Sequence, residues 1–226
     1  MSHPLDNPIW AALTTRQQPI SAGGALARRF AEDVSPLAAM RDYAPGSIAA
    51  LCDLIPDGDD ISIVCADPPA PIINHECTMS APILQMIAPS LTKGGPSPML
   101  EVLGDADAAE MLALATLTRP GPFRTKTHTL GRFLGVREYG QLVAMAGERL
   151  NVDGFHEISA VCTHPDYRGR GYGAALMRAV GQRMLDEGDV CFLHTYVSNT
   201  TAIALYKTLG FTERLQLTHA VWKRSA

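Results

Sequence analysis

A glycine-rich run that leads directly into a strongly periodic segment is the feature of this chain that most restricts its fold. Between residues 172 and 187 apolar residues recur at every fourth position, and Gly188 follows them. This spacing predicts one amphipathic helix that ends at the glycine. The periodic residues are Tyr172, Leu176, Val180 and Met184, and the run before them is Arg168-Gly169-Arg170-Gly171-Tyr172-Gly173-Ala174.

The glycines of this run indicate a binding site for an anion. They lack the Cβ atoms that would keep a ligand away from the backbone, so that N–H groups at the helix start can face a negative charge. The helix dipole adds to this attraction, and the arginines at 168 and 170 add full positive charges. A pyrophosphate is the ligand that these features favour. A turn built from small residues, without any ligand, is the alternative that the run alone leaves open.

A dinucleotide-binding fingerprint is a second alternative for the same residues. Gly169, Gly171 and Ala174 formally fit the pattern G-x-G-x-x-G/A. That fingerprint requires an acidic residue at the end of the next strand, where this chain has Val197-Ser198-Asn199. It also requires a βαβ unit, whereas three predicted strands precede the helix here. A nicotinamide or flavin site is therefore disfavoured.

The elements around the helix follow a definite order. Residues 131–136 and 141–146 read as a hairpin, and 156–162 as a third strand. After the helix come a strand over 190–197, a helix over 200–209 and a final strand over 211–222. The order is β-β-β-α-β-α-β, and a helix over 107–117 precedes it.

A loop rich in proline and glycine, from Ala88 to Pro98, separates this region from the first part of the chain. We place a domain boundary there, which gives domains 1–98 and 99–226. The first part contains predicted strands at 61–65 and 83–87 and a short helix at 47–54. It offers no motif that can be tied to chemistry.

Charge and composition exclude several classes of protein. The 226 residues carry a net charge of −4, with 5 basic against 10 acidic residues up to Pro98 and 14 against 13 beyond it, so neither part is a nucleic-acid surface. No stretch approaches the roughly 20 apolar residues of a membrane span, and residues 1–10 lack the features of a signal peptide. We therefore expect a cytoplasmic protein. Five cysteines without a Cys-x-x-Cys pair argue against disulfides and against a metal site.

Two motifs resemble those of the Gcn5-related N-acetyltransferase (GNAT) superfamily. Residues 161–174 resemble its acyl-CoA signature, Arg/Gln-x-x-Gly-x-Gly/Ala, and residues 199–211 resemble its second motif, Asn-x-x-Ala-x-x-Leu-Tyr-x-x-x-Gly-Phe. The resemblance covers about residues 130–212. It implies an α/β (α+β) fold with a mixed, mostly antiparallel sheet flanked by helices. The length of the chain resembles the FR47-like and glycine N-acyltransferase-like branch, which implies two tandem copies of the fold with the first copy degenerate.

The resemblance also implies roles for individual residues toward acetyl-CoA as co-substrate. Backbone groups of Val161 and Thr163 would pair with the pantetheine arm like an added strand. The N–H groups from Gly169 to Ala174 would hold the pyrophosphate. Asn199 would touch the pantetheine end of the cofactor, and the phenol of Tyr206 would lie near its sulfur.

Acetyl transfer from a thioester to an amine needs a site for negative oxygen and a proton for the departing thiolate. A backbone N–H near Cys162 can serve the oxygen. Tyr206 can donate to sulfur, because a phenol of pKa ~10 gives up its proton only as a thiolate of pKa ~8.5 develops. Cys162 itself is disfavoured as a nucleophile, since no motif supplies a histidine partner.

The amine must also lose a proton, and two residues are candidate bases. Glu157 shares a strand face with Ser159 and Val161, and its position resembles that of the glutamate base in histone-acetylating members of the superfamily. His194 occupies the place where ribosomal-protein-acetylating members carry their glutamate. A water chain, or no dedicated base, is the third possibility. In a structural reading, Glu157 is an edge residue, His194 a satisfied strand histidine and Tyr206 a packing residue.

The sequence leaves the acceptor open. We expect acetyl transfer to the amine of a small molecule or amino acid by direct attack. The alternatives are a protein N-terminus or lysine as acceptor, and a silent acyl-CoA sensor. Arg124, in the region where the superfamily has its variable acceptor loop, is either a recognition site for a carboxylate or an exposed arginine. We expect a monomer or homodimer that binds neither nucleic acid nor membrane.

Overall fold

The strands of this protein are arranged mainly in one large sheet. The computed structural model describes residues 3–55, 58–66 and 74–225. The helices are α1 (Pro8–Thr14), α2 (Pro45–Asp53), α3 (Ala108–Thr118), α4 (Tyr172–Asp186) and α5 (Thr200–Thr208). The strands are β1 (Ser21–Gly23), β2 (Ala27–Phe30), β3 (Ala38–Met40), β4 (Asp60–Cys65), β5 (His75–Ala88), β6 (Glu101–Leu103), β7 (Phe133–Glu138), β8 (Gln141–Val152), β9 (Phe155–Thr163), β10 (Val190–Tyr196) and β11 (Thr212–Arg224).

Within the described residues, eight strands form the large sheet in the order β4-β11-β5-β10-β9-β8-β7-β6. Strands β9 and β10 are parallel, and the other neighbours are antiparallel. The parallel pair follows from its connection, because the chain must cross over through α4 before β10 can run alongside β9. The predicted mixed, mostly antiparallel sheet flanked by helices is confirmed, as is the predicted order of elements from residue 133 onward.

Strand β5 is the main feature of the sheet that the sequence did not predict. It begins at His75, well before the predicted start at residue 83, and it lies between β10 and β11. Residues from both sides of the proposed boundary at 98 thus pair in one sheet. The division into domains 1–98 and 99–226, with a degenerate first copy, stays a prediction.

Two faces of the large sheet carry separate apolar cores. On one face α4 packs its predicted stripe, with Leu176, Val180 and Met184 buried against strand residues such as Leu193. On the opposite face α1 and α3 pack, and their clusters include Phe192 and Met145 respectively. Complete burial of a side chain of this size contributes roughly 1.5–3 kcal/mol. We call these the α4 face and the α1/α3 face.

A smaller sheet of β1, β2 and β3 lies beside β4, and a single bridge joins Leu37 to Ser62. Its residues contribute to the clusters around α1 and α2. None of the helices in the described parts of the chain combines the length and the apolar character needed to cross a membrane. None of the five cysteines, which all lie in the described part of the chain, forms a disulfide bond.

Candidate functional site

A gap between β9 and β10 forms the centre of the candidate site. The two strands pair at only three positions, the last of which joins Phe192 to Glu157. Beyond that point β9 continues to Thr163 and β10 continues to Tyr196, but the two strands no longer pair with each other. Ala160 has a φ of 53°, and the β8–β9 register is irregular in this region, which marks a bulge in β9. The bulge turns β9 away from β10 and leaves two strand edges facing each other.

The edge of β9 turns main-chain groups toward this gap. The amide of His164 donates to the carbonyl of Val143 at 2.7 Å, while Thr163 lies opposite Ala144. In an antiparallel pair this pattern turns the amide and carbonyl of Thr163 away from β8. Val161, two residues earlier, has the same orientation. The gap therefore fits an extended ligand that pairs like a strand, although the predicted pantetheine contact stays a prediction.

The glycine-rich loop leaves the first amides of α4 uncapped. Gly169 and Gly171 have φ values of 79° and 81°, in the left-handed region that favours glycine. Gly171 is the N-cap residue of α4, and no side chain of the described residues caps this helix. The first four N–H groups of a helix have no partner inside it. The first amides of α4, including those of Tyr172 and Gly173, thus have no side-chain cap, and the predicted contact of the amides from Gly169 to Ala174 with a pyrophosphate stays a prediction.

The side chains around this loop are held in place by local contacts. Arg168 Nε donates to the carbonyl of Thr163 at 3.4 Å, and the guanidinium carbon of Arg170 lies 4.9 Å from the ring centre of Tyr167. The hydroxyl of Tyr172 donates to a carboxylate oxygen of Glu138. Both arginines are exposed, so their charges remain available at the mouth of the gap.

The linker between β5 and β6 crosses the outer side of α4, a contact that the sequence did not predict. Arg178 Nε donates to the carbonyl of Thr92 at 2.8 Å. Further along the linker, a Cβ added to Gly171 would lie only 2.7 Å from Cγ of Pro96. A cleft of about 400 Å³ lies between this linker and α4, on the outer side of the helix and separate from the strand gap. The close approach at Gly171 excludes any side chain there.

Helix α5 positions Tyr206 and Asn199, the two predicted residues of the second motif. The ring of Tyr206 packs 6.2 Å from that of Phe211, and the described residues supply no hydrogen-bond partner for its hydroxyl. Burial raises the pKa of Tyr206, so the phenol is protonated at neutral pH. Asn199 is the N-cap of α5, and its side-chain oxygen accepts from the amide of Ala202 at 3.3 Å. Asn199 therefore has a structural role, and its contact with the co-substrate stays a prediction.

Cys162 is buried in the cluster around α3. Burial raises the pKa of its thiol to about 11, although hydrogen bonds to Thr118 and Met145 oppose the shift. The reactive thiolate is therefore almost absent at neutral pH. A raised pKa does not favour Cys162 as a nucleophile, and its contact with the co-substrate stays a prediction.

Glu157, the first candidate base, is completely buried on the α1/α3 face at the base of the gap. Arg149 donates to both carboxylate oxygens, through Nε at 2.8 Å and Nη2 at 2.6 Å, and His194 Nδ1 lies 2.7 Å from Oε1. Burial pushes the pKa of Glu157 upward, but the charge and hydrogen bonds of Arg149 and the hydrogen bond of His194 outweigh it and lower the pKa to about 2. Such a carboxylate is a weak base.

His194, the second candidate base, is occupied at both ring nitrogens. Its Nε2 lies 3.0 Å from the side-chain nitrogen of Gln85 on β5. The oxygen of that amide accepts from Arg214 at 2.7 Å, which fixes the amide nitrogen toward the histidine. Because an amide nitrogen only donates, His194 Nε2 accepts and the ring proton lies on Nδ1, toward Glu157. These contacts do not favour proton removal by either residue, and the choice of base stays a prediction.

Three residues on this face were missed by the sequence reasoning: Arg149, Tyr196 and His219. The hydroxyl of Tyr196 lies 3.0 Å from His219 Nδ1, and Nε2 of that buried histidine has no partner among the described residues. Burial, with Arg149 and His194 adding to it, lowers the pKa of His219 to about 4. Strand alternation places Tyr196 on the face of His194 and was a usable signal. The positions of the other two depend on strand pairing.

Arg124 is neither an exposed arginine nor a free recognition group, which corrects both expectations for it. Its guanidinium forms two hydrogen bonds with Asp59, at 3.0 and 2.9 Å, and a third with Asp60 at 3.2 Å. Both carboxylates lie at the start of β4, in the part of the chain before residue 98. The loop around Arg124 is therefore tied to the first part of the chain.

Comparison with known proteins agrees with this architecture. Residues 133–222 match a family profile described as FR47-like protein. A solved structure from Novosphingobium aromaticivorans, of a protein assigned to the GNAT family of acetyltransferases, is 41% identical, superposes with a TM-score of 0.93 and is aligned over 100% of both chains. The chain belongs to the GNAT family of acetyltransferases.

Two curated acetyltransferases match this GNAT protein over shorter stretches. The mycothiol acetyltransferase of Corynebacterium aurimucosum is 39% identical over 72 residues, which are 31% of this chain and 23% of that protein. The N-alpha-acetyltransferase RimI of Mycobacterium tuberculosis is 37% identical over 84 residues, 35% of this chain and 51% of that protein. The matched part thus spans about half or less of each curated relative.

Proposed function

We propose that this GNAT protein transfers an acetyl group from acetyl-CoA to the primary amine of a small molecule or amino acid by direct attack. The observation that carries the proposal is the set of uncapped amides at the start of α4, directly beside the gap between β9 and β10. A pyrophosphate suits such amides, and an extended arm suits the open strand edge. Acetyl-CoA combines both groups in one molecule.

Each part of the reaction has a group in the chain to support it. The amides from Gly169 to Ala174 bind the diphosphate, and main-chain groups of Val161 and Thr163 orient the pantetheine. An amide of β9 near Cys162 stabilises the negative charge that develops on the thioester oxygen. Tyr206, whose pKa is raised by burial and whose hydroxyl has no partner among the described residues, supplies the proton to the leaving sulfur.

The amine approaches from the α1/α3 face and loses its proton to water in this proposal. Glu157 and His194 are held by Arg149 and Gln85, so neither has a free basic atom for the amine. Their role is to keep this side of the gap rigid. A general base contributes typically 10²–10⁴-fold, so a GNAT enzyme without one depends on the amine being partly deprotonated at the working pH.

A small acceptor is favoured over a protein segment because the first part of the chain reaches over this face. The carbonyl of Asp33 accepts from the amide of Lys126 at 2.8 Å, and Asp59 holds Arg124. These bonds connect the predicted acceptor loop to residues before 98. One curated relative is named a mycothiol acetyltransferase and the other an N-alpha-acetyltransferase, so the screen below includes both small amines and peptides.

The test is a thiol-release screen of amines, amino acids and short peptides with acetyl-CoA, run on the parent protein and on Tyr206→Phe. We expect release with small amines or amino acids, and a kcat about 100-fold lower in Tyr206→Phe with unchanged acetyl-CoA affinity. Tyr139→Phe, at a turn residue that is 99% exposed, is the matched control. If no amine causes release while acetyl-CoA still raises the melting temperature, the protein is an acyl-CoA sensor. Release only with peptides would instead indicate protein acetylation.

A further inference from the structure

Arg149 lies at the base of the gap on the α1/α3 face and has one guanidinium nitrogen that is not bound by Glu157. Its Nε and Nη2 are used by Glu157. Its Nη1 has no partner among the described residues, and the side chain is 13% exposed. A Cβ built on Gly121 would lie 3.9 Å from Nη1, so this nitrogen faces the loop in which we expect acceptor contacts.

The carboxylates around Nη1 in the described part of the chain all have an arginine partner. Glu157 is neutralised by the other side of the same guanidinium. Tyr196 and His219 are uncharged at neutral pH, because burial raises the pKa of Tyr196 and lowers that of His219 to about 4. Beyond the loop, Asp59 and Asp60 are held by Arg124. A carboxylate that enters from this side therefore meets the unpaired donors of Nη1 beside an ion pair without net charge.

We propose that Arg149 Nη1 binds a carboxylate of the acceptor, so that the acceptor is an amino-acid-like molecule with an amine and a carboxylate a few bonds apart. The inference rests on the proposed function and specifies its substrate class. The rigid ion pair with Glu157 holds Nη1 in position, which reduces the entropy lost on binding. An arginine fork serves two carboxylates more readily than a lysine, because its donors point in fixed, different directions. A protein N-terminus presents an amide beside its amine and would not use this contact.

The experiment compares each amino acid with its own amide as acceptor, for example glycine with glycinamide, over a range of pH that allows for their different amine pKa values. For the parent we expect a KM about 10- to 100-fold lower for the acid, as for a hydrogen bond to a charged group. Arg149→Lys keeps a charge for Glu157 but loses Nη1. This variant should lose the preference, so that its KM values for the acid and for the amide differ by less than about twofold. Arg124→Lys is the matched control and should keep the preference.

Equal KM values of the parent for the acid and the amide would overturn the proposal. An Arg149→Lys variant that keeps the preference for the acid would also overturn it. Should Arg149→Lys fail to fold, or should no acceptor be acetylated, saturation-transfer NMR on the parent protein with coenzyme A decides. Contact of glycine but not glycinamide with the protein supports the carboxylate site even when the proposed acetyl transfer fails. Equal contact, or none with either, rejects the carboxylate site while leaving acetyl transfer as a separate question.

Discussion

The two sides of the strand gap consist of different chemical groups, main-chain amides on one side and side chains on the other. At the start of α4 the candidate site consists of main-chain amides, held by two left-handed glycines. On the α1/α3 face it consists of side chains contributed by separate strands, in the order Arg149, Glu157, His194, Gln85 and Arg214. The first arrangement is contiguous in sequence. The second joins residues that are up to 129 positions apart.

This difference predicts different responses to substitution. A main-chain site tolerates changes in side chains provided that the backbone can keep its conformation. A buried chain of hydrogen bonds and ion pairs does not, because removing one member leaves its neighbour unpaired in a low-dielectric environment. Changes on the α1/α3 face should therefore reduce stability first, whereas changes at the loop should reduce binding of coenzyme A first.

The largest effect is expected from breaking the Arg149–Glu157 pair. Arg149→Met leaves a buried carboxylate without its cation, and the free energy of unfolding should fall by about 3–5 kcal/mol in urea denaturation. The double variant Arg149→Met/Glu157→Leu should recover part of this loss. Lys207→Met, which breaks an ion pair whose side chains are 55% and 50% exposed, is the control and should cost less than ~1 kcal/mol.

Glu157→Gln separates a structural role from a catalytic one in the same experiment. We expect a clear loss of stability, because Arg149 is then left with an uncharged partner. If this variant is as stable as the parent and yet loses more than about 100-fold in kcat, Glu157 is the general base and the contrast between the two sides fails.

The second prediction concerns pH and His219. A histidine whose pKa is lowered from 6.5 to about 4 by folding binds fewer protons in the folded state than in the unfolded state. Its contribution to stability is therefore complete above pH 6.5 and is lost as the pH falls toward 4, by about 3 kcal/mol in total. His219→Gln should flatten the stability profile in this window, whereas His164→Gln, outside the network, should not. If the free energy of unfolding falls equally with pH in the parent and in His219→Gln, His219 is not buried in its uncharged form.

Third, the loop can be tested with two alanine substitutions that impose the same backbone strain. Gly169 and Gly171 both have left-handed φ values, and an alanine costs roughly 1–2 kcal/mol in that conformation. A Cβ at Gly169 meets nothing within 4 Å, but one at Gly171 meets Pro96 at 2.7 Å. Calorimetry should show coenzyme A binding weakened about 10-fold by Gly169→Ala and more by Gly171→Ala.

The added loss in Gly171→Ala should shrink in the double variant Gly171→Ala/Pro96→Ala, because the clash is then removed. Equal losses in the two single variants would mean that Pro96 moves aside without cost. Unchanged binding in both would show that the amides of this loop do not hold the diphosphate.

The smallest effect is expected at Cys162. Because burial raises the pKa of this thiol to about 11, Cys162→Ala should keep kcat within about twofold of the parent in the thiol-release assay. A loss of more than about 100-fold in a variant with parental stability would indicate a covalent intermediate on this sulfur, and the direct-attack proposal would be wrong.

The predictions from sequence were most accurate where local interactions decide the structure. The helix expected over 172–187 is observed as Tyr172–Asp186, and the strand expected over 190–197 as Val190–Tyr196. The helix has a strong periodic pattern with Gly188 after it, and the strand begins as a continuous apolar run from Val190 to Leu193. The strands β1 to β3 were missed, because three or four residues carry too little periodicity to be recognised. Helix α1 was also missed, because its seven residues make only about two turns.

No local pattern indicates that β5 lies between β10 and β11. Apolar alternation predicts a strand but not its neighbours. Gln85 reaches His194 only through this insertion. The same limit explains Arg124, whose pairing with Asp59 could not be anticipated from two segments 65 residues apart.

The sequence by itself determined the glycine-rich loop, the helix that follows it and the membership of the acetyltransferase family, because these depend on the conformations open to consecutive residues. Only the tertiary structure decided which side chains meet on the α1/α3 face. There the pairing of distant strands brings Arg149, Glu157 and His194 together out of water. Burial then fixes the charges and proton positions of these residues, and no local pattern encodes burial by a remote strand.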